Sequence, residues 1–122
     1  MLALWREAGA EPTHTDNLES VGRLLARDPA SLIVAEARHE LVGSVIAAWD
    51  GLRGSIYRLV VAPAHRRRGL GRALVRAAEE RLTAAGSARM QAIVVETEPR
   101  AVAFWRASGW EEQAERLRFV RG

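Results

Sequence analysis

The segment from Tyr57 to Arg81, YRLVVAPAHRRRGLGRALVRAAEER, constrains the fold more than any other part of the chain. Tyr57 to Val61 is rich in β-favouring residues, and Pro63 ends the run because proline has no N–H for a ladder. From Leu70 onward, Leu70, Ala73, Leu74, Ala77, Ala78 and Leu82 recur at helical spacing and make one apolar stripe. The segment therefore reads as strand, loop, helix. Between strand and helix stands Arg66-Arg67-Arg68-Gly69-Leu70-Gly71-Arg72. Two glycines at a helix start let backbone N–H groups approach an anion, where the helix dipole and first-turn amides favour negative charge. The arginines add forked, permanently charged donors suited to phosphate oxygens. Together these residues predict a pocket for a phosphorylated ligand.

Two common phosphate motifs do not fit. A P-loop needs Lys-Ser/Thr after its last glycine, and the chain contains no lysine. The dinucleotide fingerprint needs a third glycine, and Leu74 lies where that glycine belongs. Instead, Val61-Ala62-Pro63 followed by Arg66-Arg67-Arg68-Gly69-Leu70-Gly71 resembles the coenzyme A-binding core of the GNAT family of N-acetyltransferases. Its pattern is Val-x-Pro, then Arg/Gln-x-x-Gly-x-Gly/Ala opening a long helix. A second segment, Glu98 to Trp110, is similar to that family's Asn-x-x-Ala-x-x-Phe/Leu-Tyr-x-x-x-Gly-Phe, with Ala101, Phe104 and Gly109 in register.

The resemblance implies a mixed, mostly antiparallel sheet flanked by helices, an α/β (α+β) fold over one domain, 1–122. It implies acetyl-CoA as co-substrate and direct transfer of acetyl to a small-molecule or protein amine. Leu59, Val60 and Val61 would lie along the pantetheine, with a backbone N–H near Val61 polarising the thioester carbonyl. Arg66, Arg67, Arg68, Gly69, Leu70, Gly71 and Arg72 would hold the pyrophosphate. A general base takes the amine proton and an acid serves the departing thiolate. The chain departs from the family where that chemistry is assigned. The family's tyrosine falls on Trp105, its cofactor-contacting asparagine on Glu98, and the glutamate base of ribosomal-protein acetyltransferases on Ile93.

The remaining elements follow from punctuation and periodicity. Met1 to Ala8 reads as a helix, and Thr15-Asp16 opens another, with Glu19 completing a capping box and Asp28-Pro29 stopping it. The family's first strand would precede that first helix, so the sheet is expected to lack it, and the bare edge makes a homodimer plausible. Ser31–Glu36, Leu41–Trp49 and Ser55–Val61 read as a meander, turning at Arg38-His39-Glu40 and Asp50-Gly51. Met90–Val95 is the next strand, Pro99 to Gly109 a helix, and Trp110 onward, with Leu117–Val120, a terminal hairpin.

Composition narrows the function classes. All 18 cations are arginine and the net charge is +3, which suits an acidic ligand. With no cysteine there is no thiolate catalysis or disulfide, a reducing cytoplasm is permitted, and a cytoplasmic location is expected. No apolar run approaches the roughly 20 residues of a membrane span. No His or carboxylate pair shows metal-ligand spacing on a helix face, so no metal is expected.

Catalytic candidates are few. Glu96 ends a strand where a carboxylate can take a proton, and Tyr57, the sole tyrosine, can replace the missing phenol. A solvated strand-end charge and a half-buried strand tyrosine are the plain alternatives. Asp50 is first a turn residue, and His14, His39 and His65 read as exposed loop residues. Two further readings stand behind the enzyme. One is a coenzyme A-binding module without catalysis, which would explain Trp105 and Glu98. The other, ranked last, is a nucleic-acid binder using Arg53, Arg58, Arg66, Arg67, Arg68, Arg72 and Arg76.

Overall fold

Strand alternation, helical stripes and turn residues resolve into eight elements in a computed structural model, which describes residues 2–7, 17–94, 99–113, 117–119 and 121. In chain order they are α1 (Leu2–Glu7), α2 (Leu18–Arg27), β1 (Leu32–Ala37), β2 (Glu40–Trp49), β3 (Gly54–Val61), α3 (Leu70–Ala85), β4 (Met90–Ala92) and α4 (Pro99–Ala107). Packing gathers the chain into two units, Met1–Ala92 and Ile93–Gly122.

In the first unit the sheet order is β1-β2-β3-β4, with β1, β2 and β3 antiparallel and β4 parallel to β3. The mixed, mostly antiparallel sheet expected from the sequence is therefore present, and no strand precedes β1 among the described residues. The centre is β2, buried continuously from Val42 to Ala47. Strand alternation sends Gly43, Val45 and Ala47 to one face and Ser44, Ile46 and Ala48 to the other.

On the first face lies α3, whose Leu74, Val75, Ala78 and Leu82 are buried in one stripe. Two strand glycines let it lie directly on the sheet. A Cβ at Gly43 would sit 2.9 Å from Leu74 Cδ1, and one at Gly54 would sit 2.8 Å from Leu82 Cδ1. On the second face Leu4 and Trp5 of α1 pack with Ile46 and Val60, joined by Val21 and Leu24 of α2. Arg81 of α3 ties the two layers together. Its Nη2 meets both Asp28 carboxylate oxygens at 2.6 Å, and its Nε donates to the Ala30 carbonyl at 2.9 Å.

Helix ends follow local chemistry. Gly86, at φ 103°, closes α3 in a Schellman arrangement, with Ser87 N–H on Leu82 O and Gly86 N–H on Thr83 O. In the second unit Gly109 (φ 87°) ends α4 the same way, with Trp110 N–H on Trp105 O. There the Trp105 ring packs edge-on against Phe104 and Trp110, with centroids 5.6 and 4.8 Å apart.

Several expectations are corrected. The cap of α2 is Asn17, whose Oδ1 accepts from Ser20 N–H at 2.8 Å, so the helix starts later than a Thr15-Asp16 opening. Thr15, Asp16 and His14 lie outside the described residues. Ser31 belongs to a 3-10 turn, Pro29–Ser31, because its hydroxyl donates to the Asp28 carbonyl and closes that turn. The Arg38-His39 turn is tighter than expected, with both residues left-handed at φ 52° and 69°. The strand at Met90 stops at Ala92, where its ladder with β3 ends, so Ile93 and Val94 are not part of it. No hairpin forms among the described residues from Trp110 onward.

Candidate functional site

The segment that suggested an anion pocket lies within the first unit, where β3 leaves the sheet and α3 begins. Ala62 N–H donates to Val42 O at 2.8 Å, which directs the backbone groups of Ala62 and Val60 toward β2. Alternation then directs those of Leu59 and Val61 to the opposite edge. The ladder with β4 ends at Ile56 opposite Ala92. Beyond it, the amides of Leu59 and Val61 have no ladder partner among the described residues. They stand about 6.6 Å apart, two strand residues, along an edge able to take an extended ligand as one more strand.

This edge depends on an irregularity that periodicity does not reveal. Ser44 pairs with Val60 and Ile46 with Tyr57, so Arg58 and Leu59 together oppose Val45. That is a β-bulge, with Arg58 in the left-handed region at φ 52°. Its carbonyl accepts from Ser44 Oγ at 3.2 Å, and Ser44 Oγ accepts from the Trp5 indole N–H at 2.9 Å. The Arg58 guanidinium lies over the Trp5 ring, 5.2 Å from its centroid.

After Val61 the chain turns sharply. Pro63 opens a 3-10 turn, Pro63–His65, and Arg66 follows in extended conformation with its Nε on the Val61 carbonyl at 3.2 Å. Arg67 and Gly69 are both left-handed, at φ 64° and 80°. Left-handed residues beside right-handed ones turn successive N–H groups toward one concavity, the geometry of an anion nest. For Arg67, which carries a Cβ, that conformation costs about 1–2 kcal/mol. The N-cap of α3 is Gly69, which offers no side chain of its own, so the amides heading the helix face outward. A Cβ at Gly69 would meet open space, so the backbone angle and not packing requires glycine there.

The structure thus brings Leu59, Val61, Arg66, Arg67, Arg68, Gly69, Leu70, Gly71 and Arg72 to one end of β3 and α3. It separates Val60, which turns its backbone to β2 and buries its side chain at 7% exposure. Leu70 also packs inward, its Cδ2 3.4 Å from the Cβ position of Gly43. Tyr57 stands two residues before Leu59, partly exposed, and burial raises its phenol above the ordinary 10.0. Glu96 and Glu98 lie outside the described residues. Asp50 serves its turn. Its Oδ1 accepts from Leu52 and Arg53 N–H, each at 2.7 Å, and these bonds hold its carboxyl below the ordinary 3.8. His65 departs from the exposed reading, with Nδ1 buried and unpartnered, because the 3-10 turn folds it inward. Among the described residues no cluster of three or more His, Asp or Glu is placed to hold a metal. Nor is any helix long and apolar enough to cross a membrane.

Sequence reasoning missed Ser44 and the hydrogen bond it accepts from Trp5. The available signal was a lone hydroxyl within the apolar run of β2.

A family model described as the acetyltransferase (GNAT) family matches residues 1–110. An acetyltransferase of Yersinia pestis (strain Pestoides F) is 32% identical over 113 residues, covering 93% of this chain and 80% of its own. The aminoglycoside antibiotic 6'-N-acetyltransferase AAC(6')-IG from Acinetobacter haemolyticus shares the fold with a TM-score of 0.77 at 20% identity. That match covers 99% of this chain and 89% of the other. The PaiA N-acetyltransferase from Thermoplasma acidophilum, solved in complex with coenzyme A, gives a TM-score of 0.78 at 15% identity. It covers 92% of this chain and 82% of its own.

Proposed function

The chain belongs to the acetyltransferase (GNAT) family and is an N-acetyltransferase, and from that membership we propose that it carries acetyl from acetyl-CoA to a primary amine by direct attack. The observation that carries this reading is the open β3 edge at Leu59 and Val61 running directly into the left-handed turn at Arg67 and Gly69. An extended pantetheine with two amides suits the first, and a pyrophosphate suits the second. The PaiA protein of known structure was solved with coenzyme A, which supports the same ligand here.

In the reaction the amine nitrogen attacks the thioester carbonyl carbon. A C–N bond forms, the C–S bond breaks, and the proton shed by nitrogen ends on the coenzyme A sulfur. In place of the N–H near Val61 expected from the sequence, the Leu59 N–H, which directly follows the bulge residue Arg58, is the assigned donor for the carbonyl oxygen as it gains negative charge. Tyr57 serves as the acid for the leaving thiolate, since burial keeps its phenol protonated at working pH. Glu96 remains the proposed base. The acceptor is a small-molecule or protein amine, and the site of action is the cytoplasm.

Calorimetric titration with acetyl-CoA, followed by thiol release over a panel of amines, tests the reading. Saturable one-site binding with amine-dependent thiol release is expected. Binding without release would identify a coenzyme A module lacking catalysis. Absence of binding would remove the central premise.

A further inference from the structure

The bulge at Arg58 and Leu59 sets which amides reach the open edge, and it is held from outside its own strand. Were the same residues paired one-to-one with β2, without a bulge, alternation continuing from Ile56 would direct Arg58 and Val60 to that edge, in place of Leu59 and Val61. A bulge also leaves polar groups out of the ladder, and a carbonyl taken from water without a hydrogen bond is destabilising. Here the Arg58 carbonyl receives Ser44 Oγ at 3.2 Å, and Ser44 in turn receives the Trp5 indole at 2.9 Å. Ser44 is fully buried and Trp5 is 3% exposed, so water does not compete for either bond. The Arg58 side chain closes the loop over the Trp5 ring.

Resting on the acetyltransferase reading above, we infer that Trp5 and Ser44 are positioning residues for acyl transfer. By holding the Arg58 carbonyl, they fix the peptide plane between Arg58 and Leu59, and so the direction of the Leu59 N–H that polarises the thioester carbonyl. They touch no substrate. Their effect falls on the transition state, where the oxygen becomes anionic, and not on anchoring of the nucleotide half of the ligand at the Arg67–Gly69 turn.

The test compares wild type with Ser44→Ala and Trp5→Phe. The second variant keeps an aromatic ring under Arg58 while removing the indole donor together with some buried volume, and it secures the test if Ser44→Ala does not fold. Each is measured for coenzyme A affinity, for kcat and KM with acetyl-CoA, and for the infrared stretch of bound carbonyl-labelled acetyl-CoA. Deleting one oxyanion donor outright lowers kcat about 100- to 1,000-fold, so misdirecting it is expected to lower kcat about tenfold. Coenzyme A affinity is expected to stay within about twofold, while the carbonyl band shifts back toward its frequency in water. A folded variant with unchanged kcat and an unchanged band would overturn the inference and leave the acetyltransferase reading intact. Wild type that neither binds acetyl-CoA nor releases thiol would overturn that reading, and the inference with it.

Discussion

Gly69→Ala isolates the conformational demand of the turn from its packing. The added Cβ faces open space, so no steric term enters. At φ 80° the alanine is left-handed, which costs about 1–2 kcal/mol, while reduced freedom of the unfolded chain returns about 0.4–1 kcal/mol. The net destabilisation, if the turn holds its shape, is about 1 kcal/mol. For a chain of this length that corresponds to a fall in Tm of roughly 3–5 °C. The turn can instead relax to escape the strain. Stability then holds, but ligand must restore the left-handed angle on binding, and acetyl-CoA affinity drops about 5- to 30-fold. Tm and affinity therefore share one quantity between them. Scanning calorimetry and isothermal titration on the same preparation read both. If neither changes, Gly69 is not held left-handed for a ligand, and the pyrophosphate assignment fails.

Other perturbations separate the parts of the site. Gly54→Ala places a Cβ 2.8 Å from Leu82 Cδ1 and 2.9 Å from Ser87 Oγ, and urea unfolding should show a loss of about 1–3 kcal/mol. Arg81→Ala removes the clamp on Asp28 and Ala30. With Asp28 about one-third exposed, solvent screening trims the loss to about 1 kcal/mol by thermal melting, with acetyl-CoA affinity unchanged. Tyr57, the sole tyrosine, should give one phenolate transition above 10.0 by ultraviolet absorbance. Because its folded pKa is raised, its contribution to stability is complete below the unfolded value and is lost as pH rises through the folded one. Tyr57→Phe should lower amine-dependent thiol release about 100-fold while sparing coenzyme A binding. Asp50 has the opposite sign. Its depressed pKa contributes stability above the ordinary 3.8 that is lost as pH falls through the folded value, so Asp50→Asn should flatten the acid limb of a stability profile.

What was legible in the residues is local. Pro63, Gly69 and Gly86 act through their own backbone angles, so strand end, turn and helix end were readable by inspection. The stripe from Leu70 to Leu82 likewise announced the buried face of α3. The bulge was not readable, because Arg58 carries no left-handed signal. Its conformation is imposed by Ser44 and Trp5, 14 and 53 positions away in the chain. The same holds for the short β4, whose end depends on where pairing with Ile56 stops and not on its own apolar run. Asn17 displaced the expected cap because its carboxamide, nearer the first helical turn, reaches Ser20 N–H. The turn before α3 was thus visible in advance, whereas the direction of the Leu59 amide emerges only from tertiary packing.

The extra residue in β3 also acts as a half-period phase step. Up to Ile56 the even-numbered residues address α3 and β4, as Gly54 does with its N–H on Arg89 O and its Cα under Leu82. From Leu59 onward, beyond the end of β4, the odd-numbered residues turn their backbone to that same edge, and even-numbered Val60 joins Trp5. The strand thereby pairs with β4 in one parity and presents its open edge in the other. Deleting one residue between Tyr57 and Leu59 would preserve composition and apolar count almost unchanged. It would also leave both faces of the strand as they are, since Leu59 alone would then oppose Val45 while Tyr57 stays on Ile46 and Val60 on Ser44; what it would remove is the Arg58 carbonyl that Ser44 holds.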